Sequence, residues 1–126
     1  MNLSGKAFKY WFDKEKISIE NTLTIVDDLA LPISKLRLRA SGSDAGHNGL
    51  KDIQLMLATD QYPKLRFGIG NNFSKGMQAE FVLSKWLPAE QLIVNKKIDK
   101  CIEVIESFAA IGLERTMNTV NNLSFA

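Results

Sequence analysis

The chain has 126 residues, 45% of them hydrophobic and 24% charged, the composition of an ordinary folded domain with room for a core. Its formal net charge of +2 is too small to attract a polyanion through bulk charge, so the placement of the cations carries the information. One cysteine excludes an internal disulfide, no apolar run reaches membrane length and Met1–Lys6 lacks a signal-peptide pattern, which sets the expectation of a cytoplasmic, single-domain protein.

Residues 4–16 read as a short amphipathic helix with Ser4 as its N-cap. Leu3, Ala7, Phe8, Trp11 and Phe12 recur at helical spacing and read as core packing, with Lys6, Lys9, Asp13, Lys14 and Glu15 opposite. Thr22–Val26 is β-branched and apolar and reads as a buried strand that stops at Asp27-Asp28. Functional groups gather at the carboxyl ends of strands in open α/β sheets, which makes Asp27 a candidate carboxylate. A solvated turn leading to Pro32 is the other reading of the same pair.

Lys35-Leu36-Arg37-Leu38-Arg39 alternates strictly, as a strand with one apolar and one basic face does. Its three cations form a row that suits phosphates or simply a solvated face. Ser41–Ala45 is rich in small residues and reads as a loop. It leads into Gly46-His47-Asn48-Gly49-Leu50-Lys51-Asp52, which holds the only histidine of the chain. Two readings of this stretch are open: a site that offers an imidazole and a carboxamide at a helix start, or a plain helix cap by Asn48 or Asp44.

Lys64–Gly70 reads as a further strand running into glycines. Gly68 and Gly70 make no dinucleotide fingerprint, because no third glycine opens a helix in register. Residues 71–79 are polar and turn-like. Pro88-Ala89-Glu90 suits the first turn of a helix. Val94, Ile98, Cys101, Ile105 and Phe108 then repeat at a helical period, with Lys96, Lys97 and Lys100 outside. Cys101 falls on that apolar stripe and reads as a buried structural thiol. Gly112 breaks the helix, and Asn118–Ala126 is polar and expected to fray.

Strand and helix patterns alternate, which favours an α/β domain with helices covering a sheet. One histidine, one cysteine and no clustered carboxylates argue against a metal site, and no serine or cysteine sits in a nucleophile elbow.

Five motifs in this order resemble the bacterial peptidyl-tRNA hydrolase family. They are Met1-Asn2-Leu3-Ser4-Gly5, Val26-Asp27-Asp28-Leu29-Ala30-Leu31-Pro32, the Gly46–Asp52 segment, Arg66-Phe67-Gly68-Ile69-Gly70, and Phe81-Val82-Leu83 followed by Pro88. The resemblance covers the whole chain as one domain, 1–126. It implies a twisted mixed β-sheet flanked by helices, and an esterase that cleaves the bond joining a peptide to tRNA. It implies no cofactor or metal, and a cytoplasmic monomer whose partner is peptidyl-tRNA. In the family a histidine activates the attacking water and an aspartate orients that histidine; Asp27 matches the aspartate. Asn48 matches an asparagine that helps hold water and substrate, and Asn2 one that contacts the peptide backbone. His47 lies beside the site among the substrate-binding positions. Arg37, Arg39 and Arg66 match basic positions used for tRNA phosphates.

Two departures from the family pattern follow. Ala45-Gly46 stands where the family has two glycines. The family's first strand, its Gly-Leu-Gly-Asn-Pro-Gly turn, its catalytic histidine and a second asparagine have no counterpart before Met1. The expectation is therefore an N-terminally truncated domain, a fragment or a mis-started frame, that lacks its general base and is inactive alone. A catalytically silent tRNA-binding module is the alternative.

Overall fold

The structure is a computed structural model and describes residues 3–126. Helix α1 (Ser4–Lys14) is followed by a short 3-10 turn at Ile19–Asn21 and strand β1 (Thr24–Asp28). Strand β2 (Leu36–Arg39), helix α2 (Asn48–Leu57) and strand β3 (Lys64–Gly68) come next. Helices α3 (Gln78–Val82), α4 (Pro88–Ile111) and α5 (Leu113–Val120) complete the chain.

The sheet order is β1-β3-β2, with β1 parallel and β2 antiparallel to the central β3. It is the expected mixed sheet of an α/β fold. In register, Val26 faces Arg66, and Arg66 faces Arg37 across the next gap. Because side chains alternate between faces, the sheet packs against a separate core on each side. On one face Leu36, Leu38 and Leu65 pack with Cys101 and Val104 of α4 and Val120 of α5. On the other, Val26 packs with Leu50 and Ile53 of α2 and with Tyr62, supported by Phe8 of α1.

Several local expectations are corrected. α1 ends at Lys14, its N-cap position is Leu3, and no side chain caps it, so Ser4 is the first helical residue. Only part of the aromatic stripe is core: Phe8 sits 6.0 Å from Tyr62, whereas Trp11 and Leu3 are more than half exposed. Lys14 lies over the Trp11 ring at 4.9 Å, which keeps that indole at the surface. β1 starts two residues later than read and runs through Asp27 and Asp28, which excludes the solvated-turn reading.

α4 opens as expected, with Pro88 in its first turn and the Glu90 carboxylate accepting from the Leu87 N–H at 2.9 Å. Its buried stripe is Val94, Lys97, Cys101 and Val104; Ile98 and Ile105 face solvent. Lys97 is thus inside, not outside. Its ammonium donates to the carbonyls of Ile33 (2.7 Å) and Gly68 (2.6 Å) and sits 3.9 Å over the Phe67 ring. Burial pushes this amine down to about 8. Cys101 is buried as expected, and burial raises its thiol above the ordinary range.

The tail does not fray. The Asn121 carboxamide accepts from Leu38 N–H at 2.7 Å and donates to Leu38 C=O at 2.9 Å, a side-chain rung on the outer edge of β2. Phe125 N–H bonds the Ser34 carbonyl, and Lys35 and Lys96 reach the carbonyls of Leu123 and Ala126. A polar tail carries the donors that an open strand edge needs, which composition alone conceals.

Candidate functional site

β1 and β3 run parallel and finish at the same end of the sheet, where β2 begins. Gly68 permits this junction, because a Cβ there would collide with the Pro32 carbonyl oxygen. The exits are laced together by Gly68 N–H to Lys35 C=O, Ile69 N–H to Asp28 C=O and Gly70 N–H to Leu31 C=O. Lys97 holds the same junction from beneath through the carbonyls of Gly68 and Ile33.

Above it opens a cavity of about 750 Å³. Asp27, Asp28 and Arg66 line it from the strand ends, and Gly46, His47 and Asn48 from the start of α2. Asn71, Phe73, Gln78, Val82 and Leu83 close it on the third side.

The Ser41–His47 loop is shaped by its own polar groups. Asp44 Oδ1 accepts from Gly46 N–H at 2.9 Å, and Asp44 C=O accepts from His47 N–H at 2.8 Å. Gly46 lies at φ 80°, where glycine suffers no Cβ strain, and Ala45 at φ 49°. Neither Asn48 nor Asp44 caps α2. The cap is His47, whose Nδ1 accepts from Leu50 N–H at 3.3 Å. Its Nε2 lies 2.9 Å from Asp27 Oδ1, so the sole histidine and the candidate carboxylate meet directly. With Nδ1 accepting, the neutral ring carries its proton on Nε2 and donates it to Asp27. Asn48 is the first residue of α2 and is exposed at the cavity.

The arginines divide. Arg37 points to solvent from β2 and Arg39 is half-buried beside it, bonding the Leu38 carbonyl. Arg66 is mostly enclosed, donating to Ser43 C=O at 2.6 Å and lying 3.7 Å from Asp28 Oδ2, itself buried. Asn2 lies outside the described residues. Among the described residues no group of three or more His, Cys, Asp or Glu side chains converges, and no helix is long and apolar enough to cross a membrane.

The third wall of the cavity, Asn71 to Leu83, is not apparent element by element, because residues 71–79 read as a polar turn and Phe81-Val82-Leu83 enters only through the family resemblance. Its position after the carboxyl end of β3 was the available signal.

Comparison with known proteins places the chain in a family. The family model "Peptidyl-tRNA hydrolase" matches residues 1–126. The chain is 52% identical over 122 residues to a peptidyl-tRNA hydrolase of Parabacteroides distasonis, covering 97% of this chain and 65% of that protein. It is 50% identical over 121 residues to one from Bacteroides fragilis, covering 96% and 65%. The crystal structure of peptidyl-tRNA hydrolase from Acinetobacter baumannii superposes with a TM-score of 0.90 at 29% identity, covering 98% of this chain and 63% of that one. The chain thus spans less than two thirds of the length of these relatives. The family match over the whole chain and the identity to these relatives show that the chain belongs to the peptidyl-tRNA hydrolase family.

Proposed function

We propose that this chain carries a peptidyl-tRNA site, in which the family reaction hydrolyses the ester between a peptide and the terminal ribose of tRNA. In that reaction water adds to the ester carbonyl carbon and the carbon–oxygen bond to the ribose breaks. The 3′-oxygen leaves with a proton. Asp27 is the carboxylate that orients the imidazole base, and Asn48 donates and accepts at the water and the ester. Asn2 belongs to the peptide side. Arg37, Arg39 and Arg66 are the phosphate side, and they position tRNA without reading sequence. No cofactor takes part, and the protein works as a cytoplasmic monomer.

The observation that carries this reading is the single rung Val26–Arg66–Arg37. It sets a row of arginines beginning at the cavity wall beside Asp27, so an ester held at Asn48 and a phosphate backbone lie on one surface. One fact favours a restriction. The sole histidine has both ring nitrogens committed, Nδ1 to Leu50 and Nε2 to Asp27. No imidazole among the described residues is free to take a proton from water. We infer that the chain by itself binds peptidyl-tRNA and does not turn it over.

Release of free tRNA from peptidyl-tRNA and filter binding of both tRNAs test the reading together. Binding at low salt without release supports it. Robust release that disappears in Asp27→Asn shows that the chain supplies its own base and overturns the restriction. No binding at low salt overturns the reading altogether.

A further inference from the structure

We propose that His47 is a positioning residue: it staples the start of α2 to the end of β1 and thereby fixes Asp27 and Asn48 relative to each other. The proposal rests on the roles given to those two residues above. A capping side chain normally ends its work at the helix terminus, because Ser, Thr, Asn and Asp are short. The imidazole of His47 caps with Nδ1, on Leu50 N–H at 3.3 Å, and still has Nε2 to donate to Asp27 Oδ1 at 2.9 Å. The two bonds leave from different corners of one rigid ring, so they set the strand end and the helix start at a fixed separation.

The backbone of His47 reinforces the ring. Its N–H bonds Asp44 C=O, and its carbonyl accepts from Lys51 N–H at 3.0 Å. The side chain is 13% exposed and that of Asp27 34% exposed. The histidine is therefore enclosed while the carboxylate faces the cavity. Among the described residues Asp27 Oδ2 has no hydrogen-bond partner and stays open to whatever enters. With no lone pair free, His47 acts through Asp27 and Asn48, not on the substrate.

Because the chain has one histidine, its ¹⁵N ring spectrum reports on the staple without ambiguity. In the ligand-free protein the expected signature is a single Nε2–H tautomer, retained in Asp27→Asn, whose amide oxygen still accepts. In Asp27→Ala the Leu50 cap still holds that tautomer, but the Nε2–H loses its acceptor, so its resonance shifts and the proton exchanges faster with solvent. An Nδ1–H tautomer in the wild type, or an unchanged spectrum in Asp27→Ala, overturns the proposal. The functional arm measures the preference for peptidyl-tRNA over deacylated tRNA. His47→Asn keeps a cap but cannot span to β1. It lowers that preference about tenfold, the effect of one lost hydrogen-bonded contact, and leaves the affinity for deacylated tRNA unchanged. The double variant His47→Asn/Asp27→Ala loses no more than Asp27→Ala alone, since the two act as one unit. Losses that multiply mark an independent substrate contact and overturn the proposal. A wild type without any preference overturns the functional reading alone, and the ring spectrum then decides the staple.

Discussion

At Ala45 the backbone lies at φ 49°, a region where a Cβ costs about 1–2 kcal/mol, one residue before a glycine at φ 80°. Ala45→Gly is expected to stabilise the fold by up to about 1 kcal/mol, read from urea unfolding, since part of the relief is lost to unfolded-chain entropy. Lys97 offers a second single-residue test. Its folded-state value of about 8 lies below the ordinary 10.5, so between those pH values the unfolded chain binds the extra proton. Stability from this group therefore rises as pH climbs from about 8 to 10.5. In Lys97→Met that rise is missing, and the difference between wild type and variant grows in favour of the wild type by on the order of 1–3 kcal/mol across the window. Lys64, also pushed down to about 8 by burial, is present in both proteins and cancels in the difference. Neither His47 nor Lys97 was legible from local pattern. A histidine is not among the usual caps, and a lysine on a helix reads as solvent-facing unless two strand-end carbonyls wait beneath it.

Among the elements, the alternation Leu36-Arg37-Leu38-Arg39 and the run ending in Gly68 were readable, because period-two patterning shows directly which side is buried. Pro88 marked the start of α4 and Gly112, at φ 88°, its end. The end of β1 was misread because Asp27 and Asp28 look like a turn. They stay in the strand because His47 and Arg66 lie alongside to receive them. The tail was misread because the partner of Asn121 is 83 residues away. Asn121→Ala leaves the N–H and C=O of buried Leu38 without their rung, at a cost of about 1–3 kcal/mol. Faster hydrogen exchange at the Leu38 amide is the direct readout, and Asn121→Asp, which keeps only the acceptor, falls between. Gly68→Ala drives a methyl against the Pro32 carbonyl and is expected to cost about 1–3 kcal/mol by thermal melting.

For the whole molecule, a net charge of +2 leaves the work of binding an anion to individually placed cations. Arg37 is exposed on β2, while Arg66 is tied to Ser43 and Asp28. Arg37→Ala is expected to flatten the logarithmic salt dependence of tRNA binding by about 0.7–0.9, the contribution of one phosphate. The same variant leaves the fold unchanged, since its side chain is exposed and makes no side-chain bond among the described residues. Affinity measured at four or five salt concentrations gives that slope. The family was legible because several short motifs occur in the right order. The geometry joining them was not, since Asp27 and His47 are 20 residues apart and meet only once β1 and α2 share an end of the sheet.

Lys97 and Cys101 sit one turn apart on the buried face of α4, and Cys101 is the only thiol in the chain. At 8% exposure that residue is largely shielded from reagents while α4 lies on the sheet. The rate at which a thiol probe labels the native protein therefore times the lifting of α4, an opening that whole-chain unfolding does not separate out. If α4 lifts without global unfolding, labelling is faster than denaturation predicts, and the floor beneath Gly68 and Ile33 breathes on its own schedule.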